Sequence, residues 1–330
     1  MNTIAHAVPV GLGRRLGDRF GDGVLIALTL LASLVAAVVL VAVAVKVIDD
    51  ASPAISRYGL GFIGHTSWTP GEGVRNVFGA GAFLFGTAVT SATALLIATP
   101  IGVAIGLYLS ELAPRGVRGV IGSLVELLAA IPSVVLGLWG ILVLGPFLQK
   151  HLESWLHSAF GFIPLFGAPA AAGVGLFNAA LILTIMVVPI IASISRELFD
   201  RVPTELEEGA LALGATHWEM VRGVILHSAR PGIAAAAILG LGRALGEAIA
   251  VAQVVGGGSL AGPALIHASL FGPGDTLASR IANQFPGATS SLQIASLFYL
   301  AVILLVIGLL ANLAAQTIVR RFEFAPVRGA

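Results

Sequence analysis

Three ionisable residues stand inside otherwise apolar stretches, and their types and spacing limit the chemistry open to this chain. Arg243 lies in the run 231–255, twelve residues from each end, and Glu247 follows four residues later. On a helix that spacing puts both side chains on one face, within pairing distance. A central membrane arginine costs at least about 2.5–3.5 kcal/mol on insertion scales, so it is kept for a partner or a task. The pair is either a structural lock between helices or a guanidinium fork offered to a passing oxyanion and held by Glu247. Gly240, Gly242 and Gly246 surround it, and Gly242 and Gly246 form a small-xxx-small pattern that admits a close second helix. Glu126 is the third charge, set in the run 119–145 six residues before Pro132. A proline there predicts a kink, and Glu126 could pair with Arg243 or bind backbone groups freed at that kink.

The most polar segment, 195–230, has a different character. Thr204 and Glu207 have capping-box spacing, and so do Thr216 and Glu219. Gly214 stands where a helix would end on a left-handed residue. The pattern predicts two short helices joined by a sharp turn, either an amphipathic hairpin on the membrane surface or a knob that docks into a groove on another protein.

Several chemistries are excluded. The only lysines are Lys46 and Lys150, followed by Val47 and His151, so no P-loop can form. The seven histidines make no i, i+4 pair and cysteine is absent, which leaves no zinc motif, thiolate or disulfide. No Gly-x-Ser-x-Gly elbow occurs. A net charge of +1 gives no footing for nucleic acid. The chain is not expected to be an enzyme, and no metal or cofactor is expected in it.

The elements that position these residues follow from composition. The chain has 330 residues, 57% hydrophobic and 11% charged, too little charge to cover a soluble surface. Six runs reach the roughly 20 apolar residues a membrane helix needs: 24–45, 84–109, 119–145, 172–194, 231–255 and 294–319. The first follows Arg14, Arg15 and Arg19, but its apolar core is too long for a cleaved signal and predicts a retained anchor. The tails and the second and fourth loops hold 12 of the 18 basic residues and the other loops 5, with Arg243 in the membrane. That bias predicts both termini in the cytoplasm, an N-tail over 1–23 and a C-tail over 320–330. The loop 46–83 is long and mixed. The apolar, Gly- and Pro-broken stretches 159–171 and 256–274 are either external loops or re-entrant segments.

The stretch Glu208-Gly209-Ala210-Leu211-Ala212-Leu213-Gly214, followed by Val224-Ile225-Leu226, resembles the EAA loop of binding-protein-dependent ABC importer permeases. Gly209 stands where alanine is usual and His227 where proline is usual. Glu126-Leu127-Leu128-Ala129-Ala130-Ile131-Pro132-Ser133 and Leu241-Gly242-Arg243-Ala244-Leu245-Gly246-Glu247 are similar to span signatures of the phosphate-uptake branch. Phe62-Ile63-Gly64-His65-Thr66 and Ser110-Glu111-Leu112-Ala113-Pro114 resemble its PstC-type rather than its PstA-type subunits. The likeness covers about 21–324. It implies an all-α type I importer (MetI-like) fold of six spans with cytoplasmic coupling helices, in a bacterial inner membrane. It implies a PstA-like permease partner, two ATPase subunits that bind the ATP and magnesium, and an external phosphate-binding protein. It places Arg243, Glu247 and Glu126 in the substrate path, and Glu207, Glu208, Gly209, Ala210, Gly214 and Thr216 in ATPase coupling. Other oxyanions (molybdate, sulfate, phosphonate), an ion-coupled secondary transporter and an embedded interaction subunit remain alternatives at this point.

Overall fold

The computed structural model describes residues 16–69, 77–257 and 269–322. The chain forms two units, 1–49 and 50–330. The first, over its described residues, is the front of helix α1, Leu16–Tyr58. Its side chains from Gly23 to Val43 are all exposed, and a helix apolar on every face is one that meets lipid. The helix runs on past 45, where the sequence predicts a loop. Lys46 and Asp49 pair at 3.9 Å three residues apart, so the first charges after the apolar run are accommodated helically.

The second unit continues with α2, Gly61–Gly64, and a two-stranded hairpin. In it β1, Trp68–Thr69, pairs antiparallel with β2, Val77–Phe78. Helix α3, Gly81–Leu107, is prolonged by a wide π-type turn to Leu112, and α4, Arg115–Ala130, follows. Helices α5, Ser133–Trp139, α6, Gly145–Leu148, and α7, Ser154–Phe160, join through two wide turns into one rod. Then come α8, Leu176–Phe199, and α9, Thr204–Ala212. Helix α10, His217–Met220, runs through a wide turn into α11, Leu226–Gly246. Helices α12, Ile249–Val254, α13, Leu277–Gln284, and α14, Ser291–Phe322, complete the chain. Among the described residues six stretches are long and apolar enough to cross a membrane: Gly23–Tyr58, Gly81–Leu112, Ser133–Phe160, Ala171–Phe199, His217–Gly246 and Ser291–Ala314.

Two further spans differ from the sequence expectation. The third is 133–160 rather than 119–145, because the chain breaks at Ile131 and Pro132, both extended. Proline lacks an N–H and disfavours helical geometry in the residue before it. What precedes the break is α4, 16 residues and so about 24 Å long, short of the roughly 30 Å hydrocarbon core. The fifth span begins at His217 and stops at Gly246 instead of running 231–255; Pro231 lies inside it and Glu247 is extended. Of the two ambiguous stretches, 161–175 is irregular backbone with only short 3-10 turns, tied down by Leu270 N–H to Leu165 O (2.9 Å) and Ala170 N–H to Phe271 O (3.2 Å). The other falls largely on 258–268, outside the described residues.

Helices α3 and α8 run parallel at the centre, and glycines bring them together. A Cβ on Gly102 would lie 2.8 Å from Ile191 Cβ, and one on Gly106 2.9 Å from Arg196 N. The main core lies between these helices, α11 and α12, with Ile182, Leu183, Val187, Ile191 and Val254 inside. A second core gathers Phe62, Trp68, Phe78, Phe83, Leu277 and Leu300 at the end of the bundle away from α9. There the buried Arg280 pairs with Asp275 at 2.9 Å and lies 4.5 Å over the Phe83 ring. Burial pushes the Asp275 carboxyl up, while Arg280, the Ser279 hydroxyl and the Thr276 N–H pull it down.

Candidate functional site

Helix α11 carries the charged pair. A Cβ on Gly240 would stand 2.6 Å from Val187 Cγ1, and Val187 is the midpoint of α8. Arg243 is three residues further, about 4.5 Å along the axis, so the pair sits near mid-depth. Arg243 Nη2 lies 3.3 Å from Glu247 Oε2, with the arginine side chain 48% exposed and the glutamate 6%. Glu247 is the first residue past α11, and its Oε1 accepts the N–H of Ala250 (3.3 Å) in the first turn of α12. One carboxylate therefore holds the last turn of one helix and the first turn of the next. A carboxylate is favourable at a helix N-terminus, where N–H groups lack partners.

The close approach expected at Gly242 and Gly246 does not occur among the described residues. Neither has an atom within 4 Å of a would-be Cβ, whereas Gly240 makes the tight contact. Leu239, Gly242, Arg243 and Gly246 instead form an exposed stripe at i, i+3, i+4, i+7. Behind it, α12 packs on α5: a Cβ on Gly137 would lie 2.7 Å from Gln253 Oε1 and 2.9 Å from Ala250 Cα. Gln253 Oε1 is buried without a hydrogen-bond partner. Sequence reasoning passed over this residue, although it is the lone amide side chain of the run 231–255.

Glu126 is not with the pair. The break at Pro132 leaves it exposed on α4, in a cavity whose lining includes Arg196 and Arg201 of the α8 end. The alternative that it pairs with Arg243 is thereby corrected.

The polar segment is built from caps. Thr216 and Glu219 form the predicted box: Glu219 N–H donates to Thr216 Oγ1 (3.3 Å) and Thr216 N–H to Glu219 Oε2 (2.8 Å). The box predicted at Thr204 and Glu207 is absent, because Pro203 takes the N-cap position and Thr204 is already helical. Gly214 adopts φ +87°. Its N–H donates to Leu211 O (2.9 Å) and that of Ala215 to Ala210 O (3.2 Å), the two bonds of a Schellman end. The second helix is not a short hairpin arm. It runs through His227 and Pro231 into the fifth span, so α9 alone is the free-standing helix. Its inner side rests through Ala210 on a small core of Phe199, Met220 and Ile225. Its outer side is bare at Leu206 and Leu211, and the turn that follows leaves Leu213 91% exposed and Trp218, in α10, 63%. Glu208 is exposed, and Gly209 has open space around it. Burial and then the neighbouring Glu111 hold the Glu207 carboxyl above its usual value, with His217 pulling it down.

Comparison with known proteins gives consistent matches. The family profile described as "Binding-protein-dependent transport system inner membrane component" matches residues 98–324. A phosphate transport system permease protein PstC of Mesorhizobium japonicum is 41% identical over 331 residues, covering 98% of this chain and 98% of the relative. The PstC protein of Haemophilus influenzae is 38% identical, covering 86% of this chain and 88% of its own. A probable PstC of Methanocaldococcus jannaschii is 34% identical, covering 83% and 86%. Among solved structures, a chain of a bacterial alginate ABC transporter in complex with an alginate-bound periplasmic protein superposes with a TM-score of 0.56. It covers 92% of this chain and 98% of that one at 19% identity, a likeness of fold.

Proposed function

The chain belongs to the family of binding-protein-dependent transport system inner-membrane components, and from that footing we propose that it is a permease subunit of an ATP-driven importer of inorganic phosphate. It is a multi-pass inner-membrane protein that carries no P-loop of its own. The observation that carries the reading is the bare stripe of α11. It presents a half-exposed guanidinium at mid-depth, braced from behind by a buried carboxylate, on a face lined with glycine. A PstA-like permease laid on that face would enclose Arg243 between two chains, where its free donors match a tetrahedral oxyanion in pairs. Glu247 offsets its charge and keeps binding weak enough for release.

Coupling follows from the other end. Bare Leu213 and Trp218, set by the Gly214 turn, suit an apolar groove on one of two cytoplasmic ATPase subunits. ATP and magnesium stay on those subunits. Their closure pushes on α9, and the bundle passes from inward-open to outward-open as a two-state element. An external phosphate-binding protein then delivers its ion. Both termini lie in the cytoplasm.

Uptake of labelled phosphate into vesicles holding the co-purified complex and the binding protein tests this. We expect uptake that requires internal ATP and is not displaced by sulfate or molybdate. Displacement by either would move the substrate to another oxyanion, and uptake without ATP would remove the coupling role of α9.

A further inference from the structure

Glu153 is a buried acid that the transport mechanism leaves unused. It is 1% exposed, and its Oε2 is enclosed without a hydrogen-bond partner. It makes no hydrogen bond or ion pair among the described residues. It closes the wide turn Gln149–Glu153 on the rod of the third span, about 30 Å along from Ser133. That distance is roughly one thickness of the hydrocarbon core, so the carboxyl lies at the membrane edge, at the end away from α9.

Nothing charged meets it there. The turn packs on α6, on α7 and on the 3-10 turn Ala171–Gly173. Lys150 and His151 on the same turn are exposed, and His151 is stacked back on Phe147 at 4.7 Å. His157 on α7 turns its Nδ1 to Phe166 O, at 2.9 Å. Neither α6 nor the segment 161–175 contains a titratable residue. A carboxylate enclosed without a donor is so costly that the group takes up a proton instead.

The segment packed on this acid is closed under strain. Ala172 adopts φ +59°, which an L-residue does reluctantly, and a Cβ on Gly173 would collide with Gly145 O. The bond from His157 to Phe166 O ties the segment to the rod in either charge state of the histidine, since Nδ1–H donates in both. The rod is continuous helix and 161–175 is irregular, so the segment is what gives way when water must reach Glu153.

We propose that Glu153 is a proton-operated latch: as a neutral acid it lets 161–175 close on the third span, and as a carboxylate it draws in water and releases that segment. The closed form holds one proton more than the open form. Rising pH therefore favours opening, by up to about tenfold per pH unit. On the importer reading, on which this consequence rests, this end receives the phosphate-binding protein, and an alkaline exterior loosens the entrance.

The test uses the full chain with its co-purified subunits in nanodiscs, without phosphate or ATP, so it stands or falls apart from the importer reading. Amide exchange over 161–175 is followed by mass spectrometry between about pH 5 and about pH 9, beside Glu153→Gln and Glu153→Met, which stay neutral throughout. Comparison at each pH cancels the intrinsic exchange rate and the titration of His151 and His157. We expect equal exchange in all three chains at the acid end, and at the alkaline end at least tenfold faster exchange in the unaltered chain alone. The infrared difference spectrum between the two ends should contain a protonated-carboxyl C=O band that both variants lack. Equal exchange at every pH, or a carboxyl band that survives in the variants, would overturn the proposal. So would protection at the alkaline end that depends on added sodium or potassium, which would assign the acid to a cation site.

Discussion

Arg243 and Glu247 are joined by an ion pair, and the question at the scale of single residues is what the pair serves. Arg243→Gln separates the answers, because Glu247 keeps its bond to the Ala250 N–H and the start of α12 is spared. A structural lock loses stability when its cation is removed, whereas a path for anions loses transport. We expect the Arg243→Gln chain to reach the membrane in normal amount and to lose phosphate uptake at least tenfold, measured as initial rate of labelled phosphate entry. Arg243→Lys should keep part of the rate, since charge survives but the paired donors do not. Normal uptake with a lowered unfolding temperature in Arg243→Gln would make the pair a lock. The pair was legible in the sequence because two charges four apart in an apolar run have few other uses. Its burial asymmetry was not, since spacing says nothing of which partner faces out. Gln253 escaped notice because an amide carries no charge, and its placement depends on α12 restarting after Glu247.

Among elements, helix ends decide most of what the sequence did and did not reveal. Proline is ambiguous. Pro100, Pro189 and Pro231 lie within helices, where neighbours re-satisfy the backbone, yet Pro132 ends one. Periodicity alone could not separate these cases, and Glu126 was placed in the wrong stretch as a result. Caps were read more reliably, though not uniformly. Thr216→Ala should cost about 1 kcal/mol at the start of α10, seen as faster amide exchange over 217–220. Thr204→Ala should change exchange in α9 very little, because that hydroxyl makes no cap bond. Equal effects at the two sites would contradict the cap assignment. Gly214 at φ +87° admits no β-branched residue without strain of about 1–2 kcal/mol. Gly214→Val should misdirect Leu213 and reduce co-purification of the ATPase subunits several-fold, while leaving thermal unfolding of the bundle close to that of the unaltered chain.

At the scale of the whole molecule, the number of spans was readable from apolar length alone, whereas their ends were set by contacts no single run contains. Orientation rests on the tally of basic residues, and the absence of cysteine makes it directly testable. Thr204→Cys on α9 and Thr289→Cys before α14 lie at opposite ends of the bundle, and both positions are exposed. An impermeant maleimide added to intact cells should label the second and not the first. The reverse pattern would invert the topology and remove the ATPase from α9. If the orientation holds, the bare leucine and tryptophan beside Gly214 have a consequence for biogenesis. A chain made without its ATPase shows the cytoplasm two large apolar side chains on a rigid turn, the kind of surface chaperones and membrane proteases recognise. The docking knob would then also proofread stoichiometry. Pulse-chase decay of the chain should quicken when the ATPase is depleted, and Leu213→Ser with Trp218→Ser should restore its lifetime although transport stays lost.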